Sequence, residues 1–127
     1  MSIAQNDVNV IAVETNNDDF KAGSPIDVKV RAEVGGALFG TGGKYRVRLT
    51  LTDVTNPSLV NSQDTVGTYG DANWPNAGAN VFAFSVPAAA TAGRDGNLMQ
   101  PQARLVGNAA APFDNSFVVG DILLLTP

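Results

Sequence analysis

Two stretches of this chain alternate apolar and polar residues with a period of two, and that rhythm limits the possible folds more than any other feature. Ile26, Val28, Val30, Ala32 and Val34 fall on one side, with Asp27, Lys29, Arg31 and Glu33 between them. Tyr45, Val47, Leu49 and Leu51 repeat the pattern against Arg46, Arg48, Thr50 and Thr52. Successive side chains of a strand point to opposite faces, so each stretch predicts a strand with one buried face. Asn80 to Val86 is a third case, with Phe82, Phe84 and Val86 inward. No stretch sustains the period of an amphipathic helix, so helix is expected to be nearly absent.

Weaker strand signals fill the intervals. Val8 to Thr15 is β-branched and apolar. Leu59 to Thr68 is broken by polar residues and predicts a short or edge strand. Leu98 to Val106 contains Pro101, which predicts an edge, a strand start or a bulge at that point. Phe117 to Leu125 closes the chain with the run Ile122-Leu123-Leu124-Leu125, apolar on both faces. Turn chemistry separates these runs: Asn16-Asn17-Asp18-Asp19, Ala22-Gly23-Ser24-Pro25, Asn56-Pro57-Ser58, Gly70-Asp71-Ala72-Asn73 and Gly93-Arg94-Asp95-Gly96-Asn97. The expected fold is all-β, a two-layer antiparallel sandwich formed by residues 1–127 as a single domain.

Phe20-Lys21-Ala22-Gly23-Ser24-Pro25 followed by the alternating Ile26–Val30 resembles the passage from the first to the second strand of bacterial immunoglobulin-like domains. Phe82-Ala83-Phe84-Ser85-Val86-Pro87 is similar to the end of their fifth strand. The resemblance implies seven strands, A to G, near 7–15, 26–34, 44–53, 59–68, 80–86, 98–106 and 117–125. It concerns architecture, not function. The cysteines and core tryptophan of antibody domains have no counterpart in the pattern, because Trp74 falls in a loop.

Composition excludes several classes of function. The chain has neither cysteine nor histidine, which removes disulfides, thiolate zinc sites and Ser-His or Cys-His nucleophiles. The net charge of −4 with only eight Lys and Arg argues against nucleic acid. Lys29, Arg31, Arg46 and Arg48 read as solvent faces of strands rather than a basic patch. No apolar run is long enough for a membrane helix, so membrane insertion is not expected. The start, Met1 to Asp7, shows no signal peptide. The expectation is synthesis in the cytoplasm, with later incorporation into a virion or other assembly as one outcome, or else a signal already removed from the chain. Only 16% of residues are charged, a surface poor in the charges that keep domains apart.

The candidate sites each admit two readings. Gly35 to Gly43 has five glycines in nine residues, but Leu38 and Tyr45 stand where a P-loop needs Gly and Ser or Thr. Leu38 and Phe39 at its middle either insert into a partner or cap the end of the sandwich. Asn16, Asn17, Asp18 and Asp19, with Asp95, Asn97, Asp114 or Asn115, are either oxygen ligands for calcium or ordinary turn residues; no metal and no cofactor are expected. Tyr69 and Trp74 are a core cap, a protein-interface anchor or a stacking platform for a sugar ring. Glu14 and Glu33 are the only glutamates, so paired-carboxylate catalysis would need Asp64, Asp71, Asp95 or Asp114, and no enzyme is expected. Leu123, Leu124 and Leu125 break strand alternation. They predict burial of at least one leucine by a neighbouring subunit, or by residues before Asp7 or the Ala109–Pro112 segment folding back. The expected function is a non-enzymatic structural protein that binds itself or another structural protein through Leu38, Phe39, Trp74, Leu123, Leu124 and Leu125. The alternative is a monomeric module that binds carbohydrate or protein through its end loops.

Overall fold

The computed structural model describes residues 7–108 and 113–127; the segments 1–6 and 109–112, and with them the two fold-back covers considered for the last strand, lie outside the described residues. The chain runs β1 (Val8–Thr15), β2 (Asp19–Lys21), β3 (Ile26–Val34), α1 (Gly36–Gly40), β4 (Lys44–Asp53), β5 (Ser58–Thr68), β6 (Gly78–Val86), α2 (Ala88–Thr91), β7 (Leu98–Asn108), β8 (Phe113–Val119) and β9 (Leu123–Thr126). The helices have five and four residues. β1, β3 and β6 form a three-stranded sheet; β2, β9, β7, β4 and β5 form the second, with β8 also on β7. All pairs are antiparallel except β2 with β9. The fold is an immunoglobulin-like sandwich.

β3 and β4 have the bounds and faces that the alternation predicts. Their inward residues Val28, Val30, Val47, Leu49 and Leu51 are buried between the layers. In the three-stranded sheet Val28 lies opposite Phe84 and Val30 opposite Phe82. Such aromatic and β-branched cross-strand pairs stabilise a sheet by roughly 0.2–1 kcal/mol each relative to alanine.

Long-range pairing corrects two expectations, the single last strand and the place of Pro101. The turn after Asp53 folds β5 back along β4 as a hairpin, which makes β5 an edge strand, though a long one of eleven residues. The last strand is two strands. β8 pairs with the upper part of β7 from Gln102 to Asn108, and β9 with Leu98 and Met99 at its lower end. Gly120 lies at the break. Its N–H donates to the Pro101 carbonyl at 2.8 Å, and a Cβ there would stand 2.9 Å from the Pro101 ring. This also explains a proline in a central strand. In a strand a residue's N–H and C=O point to the same side, and on that side β8 has ended and β9 has not begun. The missing proline N–H therefore removes no ladder bond.

Asp19, expected in a turn, begins β2, which runs parallel to β9 with Asp19 opposite Leu124 and Phe20 opposite Leu125. The terminal strand therefore has its edge covered by its own chain.

Candidate functional site

Leu123 and Leu125 are fully buried in the chain's own core, and Leu124 between them faces out at 41% exposure. The alternation is intact, so the leucine run does not require a second subunit. Leu38 is buried on α1 and caps the upper end of the sandwich, where β4 begins. Phe39 is half-buried with its ring 5.6 Å from that of Tyr69. Trp74 sits in the β5–β6 connection, yet its side chain is completely buried. Its ring meets Tyr45, Tyr69 and Phe82 edge-on at 5.2, 5.5 and 5.3 Å. These placements withdraw Leu38, Trp74, Leu123 and Leu125 from the expected interface, because each already fills its own core. They also remove Trp74 as a sugar platform. Of that set, Phe39 and Leu124 keep exposed surface.

Asp71 fastens the aromatic end. Its carboxylate accepts the Tyr45 hydroxyl at 2.8 and 3.0 Å and the backbone N–H groups of Thr68, Asn73 and Trp74 at 3.0–3.1 Å. Burial pushes the Asp71 carboxyl up, but the hydrogen bonds from Tyr45 and the loop backbone outweigh it and hold the group below its usual range. Burial first, and then the Asp71 contact, raises the Tyr45 hydroxyl above its ordinary value. Asp71 is thus a turn anchor, which agrees with the turn reading of Gly70–Asn73. Among the described residues no group of three or more acidic side chains is arranged to hold a metal.

The exposed chemistry collects elsewhere, on the outer face of the six-stranded sheet. Lys44, Arg46 and Arg48 of β4 and Arg104 of β7 all point outward; they are four of the eight Lys and Arg in the chain. The register sets Arg104 directly opposite Arg48, a like-charge pairing that costs stability unless compensated. Asp64 on β5 holds Arg48 by two hydrogen bonds of 2.7 and 3.1 Å, and the Arg104 guanidinium lies 5.3 Å over the Phe117 ring. The Arg48 bond lowers the Asp64 carboxyl. Between β4, β5 and β7 at the upper end is a groove of about 480 Å³ lined by Lys44, Arg46, Val66, Thr68 and Val106.

Apolar groups share this face. Of the ten large hydrophobic side chains exposed among the described residues, Leu59, Val66, Leu98, Phe117, Val119 and Leu124 lie here. The reading of Lys29, Arg31, Arg46 and Arg48 as solvent-face residues agrees with their exposure. Alternation did put Arg46 and Arg48 on an outer face, but only the β4–β7 and β7–β8 registers bring Arg104 and Phe117 beside them. Arg48 and Arg104 are more than fifty positions apart, and no local signal carries that pairing; Phe117 reaches Arg104 through the hairpin of β7 and β8.

No family model matches the chain, and no curated protein matches it by sequence. Solved structures are similar to it in fold. Spo0M, a sporulation control protein from Bacillus subtilis, aligns over 94% of this chain and 49% of its own at 11% identity, with a TM-score of 0.52. A cycloisomaltooligosaccharide glucanotransferase from Paenibacillus sp. aligns over 94% of this chain at 14% identity and a TM-score of 0.51. The chain spans only 14% of that enzyme. AggA, the major subunit of aggregative adherence fimbriae type I from Escherichia coli, aligns over 99% of both chains at 10% identity; its TM-score of 0.48 is too low to support a functional parallel. The first two likenesses establish the sandwich architecture and nothing about activity.

Proposed function

We propose that this chain is a non-enzymatic, self-associating subunit of a larger assembly, such as a virion, decoration layer, tube or filament. The observation that carries the reading is the outer face of the six-stranded sheet, where six of the ten large apolar side chains exposed among the described residues gather. Apolar groups concentrated on one face of a small domain mark an interaction surface. Phe117, Val119 and Leu124 each keep 41–46% exposure, so covering the remainder contributes roughly 1 kcal/mol apiece. The alternative, a monomeric module binding carbohydrate or protein through its end loops, loses Trp74 as a contact residue with the burial of that side chain.

The test is light scattering coupled to size exclusion over a range of concentrations. The wild-type mass is expected to rise with concentration. Phe117→Asp combined with Leu124→Asp is expected to hold the mass at one chain while the β circular dichroism persists, since both side chains already meet solvent. A wild-type chain that stays monomeric at every concentration, or a double variant that associates like the wild type, rejects the proposal.

A further inference from the structure

We infer that the occupant of this face is the same face of a second copy, docked by a two-fold axis lying between the two sheets. The inference rests on the self-association reading and specifies its geometry. It starts from charge. On the part of the face built by β4, β5, β7 and β8, Lys44, Arg46, Arg48 and Arg104 are opposed among the described side chains by Asp64 alone, a balance of +3 in a chain whose net charge is −4. The compensating acids collect at the opposite, lower end around β9.

Asp18 and Asp19 reach that end through β2: the Asp18 carbonyl accepts the Leu124 N–H, and Asp19 lies opposite Leu124. Asp95 reaches it through its neighbour Gly96, whose N–H donates to the Leu125 carbonyl, and Asp121 lies in the link into β9. All four are exposed. Lys21 of β2 is the cation beside them, and Arg94 is committed to Asp53 at 3.0 Å. This end carries −3.

One face therefore holds a basic upper region, an apolar strip through Phe117, Val119, Leu98 and Leu124, and an acidic lower edge. A two-fold rotation that inverts upper and lower brings each basic region onto the partner's acidic edge and apolar strip onto apolar strip. This is the self-complementary arrangement of an isologous dimer. Size permits it. With five strands about 4.8 Å apart, the longest having eleven residues, the face offers on the order of 700 Å², close to the roughly 800 Å² a standard interface takes from each partner.

A charge swap tests the geometry. Arg46→Glu with Arg104→Glu inverts the basic region; Asp19→Lys with Asp121→Lys inverts the acidic edge. All four side chains are exposed, and a glutamate at 104 faces Arg48, so the fold is retained and thermal melts verify it. By sedimentation velocity at low salt, each variant alone is expected to dimerise at least about tenfold more weakly than wild type. Their equimolar mixture is expected to recover wild-type affinity as a heterodimer, because both contacts then pair opposite charges. Association of each variant at wild-type strength, or a mixture that stays monomeric, overturns the two-fold docking while leaving self-association standing. A wild-type chain monomeric at all concentrations removes both. If that monomer is retained on immobilised heparin and the Arg46→Glu, Arg104→Glu variant is not, the face serves an anionic polysaccharide instead.

Discussion

The two ends of the sandwich are each closed around one carboxylate, and they solve the same problem with different partners. At the lower end Asp53 is completely buried and accepts Arg94 at 3.0 Å, the Asn97 amide at 2.7 Å and the Asn56 N–H at 2.9 Å. At the upper end Asp71 accepts only neutral donors: one hydroxyl and three backbone N–H groups. Both carboxyls are pushed up by burial and pulled further down by hydrogen bonds, those of Asp53 including the Arg94 charge. The lower end ties two loops with a charge. The upper end uses its carboxylate to present a tryptophan to an aromatic core. A buried charge with a charged partner makes an end that fails when either is removed; a carboxylate held by backbone donors makes one that fails by degrees.

The largest expected difference is at Asp53. Asp53→Ala removes the acceptor of three groups and strands a guanidinium. The Arg94 side chain keeps 28% exposure, which lets it turn toward solvent, so the cost is expected near the lower end of the about 3–5 kcal/mol typical of a broken buried pair. Asp71→Ala leaves backbone donors that water can reach, and about 1–3 kcal/mol is expected. Urea unfolding of the two variants orders them, and an equal or reversed order would dissolve the distinction between the ends.

Next in size is Gly67→Ala. A Cβ at Gly67 would overlap the Asp71 carboxylate and stand 2.5 Å from the Tyr45 hydroxyl, so the upper end must shift, at about 1–3 kcal/mol. The matching change at Gly40, where a Cβ meets nothing within 4 Å, should stay within about 0.5 kcal/mol. Tyr45→Phe removes one hydrogen bond to the Asp71 carboxylate, which keeps its three backbone donors, and about 1.5 kcal/mol is expected, the lower end for a charged acceptor.

Acidity sharpens the comparison last. Depressed folded-state carboxyls contribute stability that is present above the unfolded value of about 3.9 and lost as pH falls through the folded values. Melting temperature is therefore expected to fall below about pH 4, with a flatter acid limb in Asp53→Asn and Asp71→Asn. Tyr45 works in the other direction: its raised folded value gives stability present below about pH 10 and lost as pH rises beyond it. Tyr45→Phe should lose that alkaline limb. An unchanged acid limb in both Asn variants would assign the acid sensitivity to other groups.

Much of the fold was legible from local pattern. The strands at 26–34 and 44–53 were read to the residue, and the inner faces of β3, β4 and β6 followed from alternation. Gly70–Asn73 was readable as a turn because an Asp side chain bonds the backbone within three residues of itself. The proposed interface was not legible. Three leucines in a row looked like an exposed seam, but Leu124 faces out while β2, three residues long, covers the strand's edge. Trp74 looked like a loop residue because sequence position does not show which way a connection folds. Gly67 and Gly107 carried an unused signal, since glycine inside a strand marks a close approach; a Cβ at Gly107 would overlap the Tyr69 hydroxyl.

What the sequence by itself determined is the alternation of each strand, and so which side chains must leave water. Alternation is a property of neighbouring residues, and the hydrophobic effect acts on it wherever the strand ends up. Only the tertiary structure decided which strands became neighbours. That choice laid β5 along β4, split the last strand at Gly120, and set Arg104 beside Arg48. Strand pairing depends on backbone hydrogen bonds and packing between residues far apart in the chain, and backbone hydrogen bonds are the same for every sequence. The local pattern therefore specifies faces, and the packing of the whole domain specifies partners.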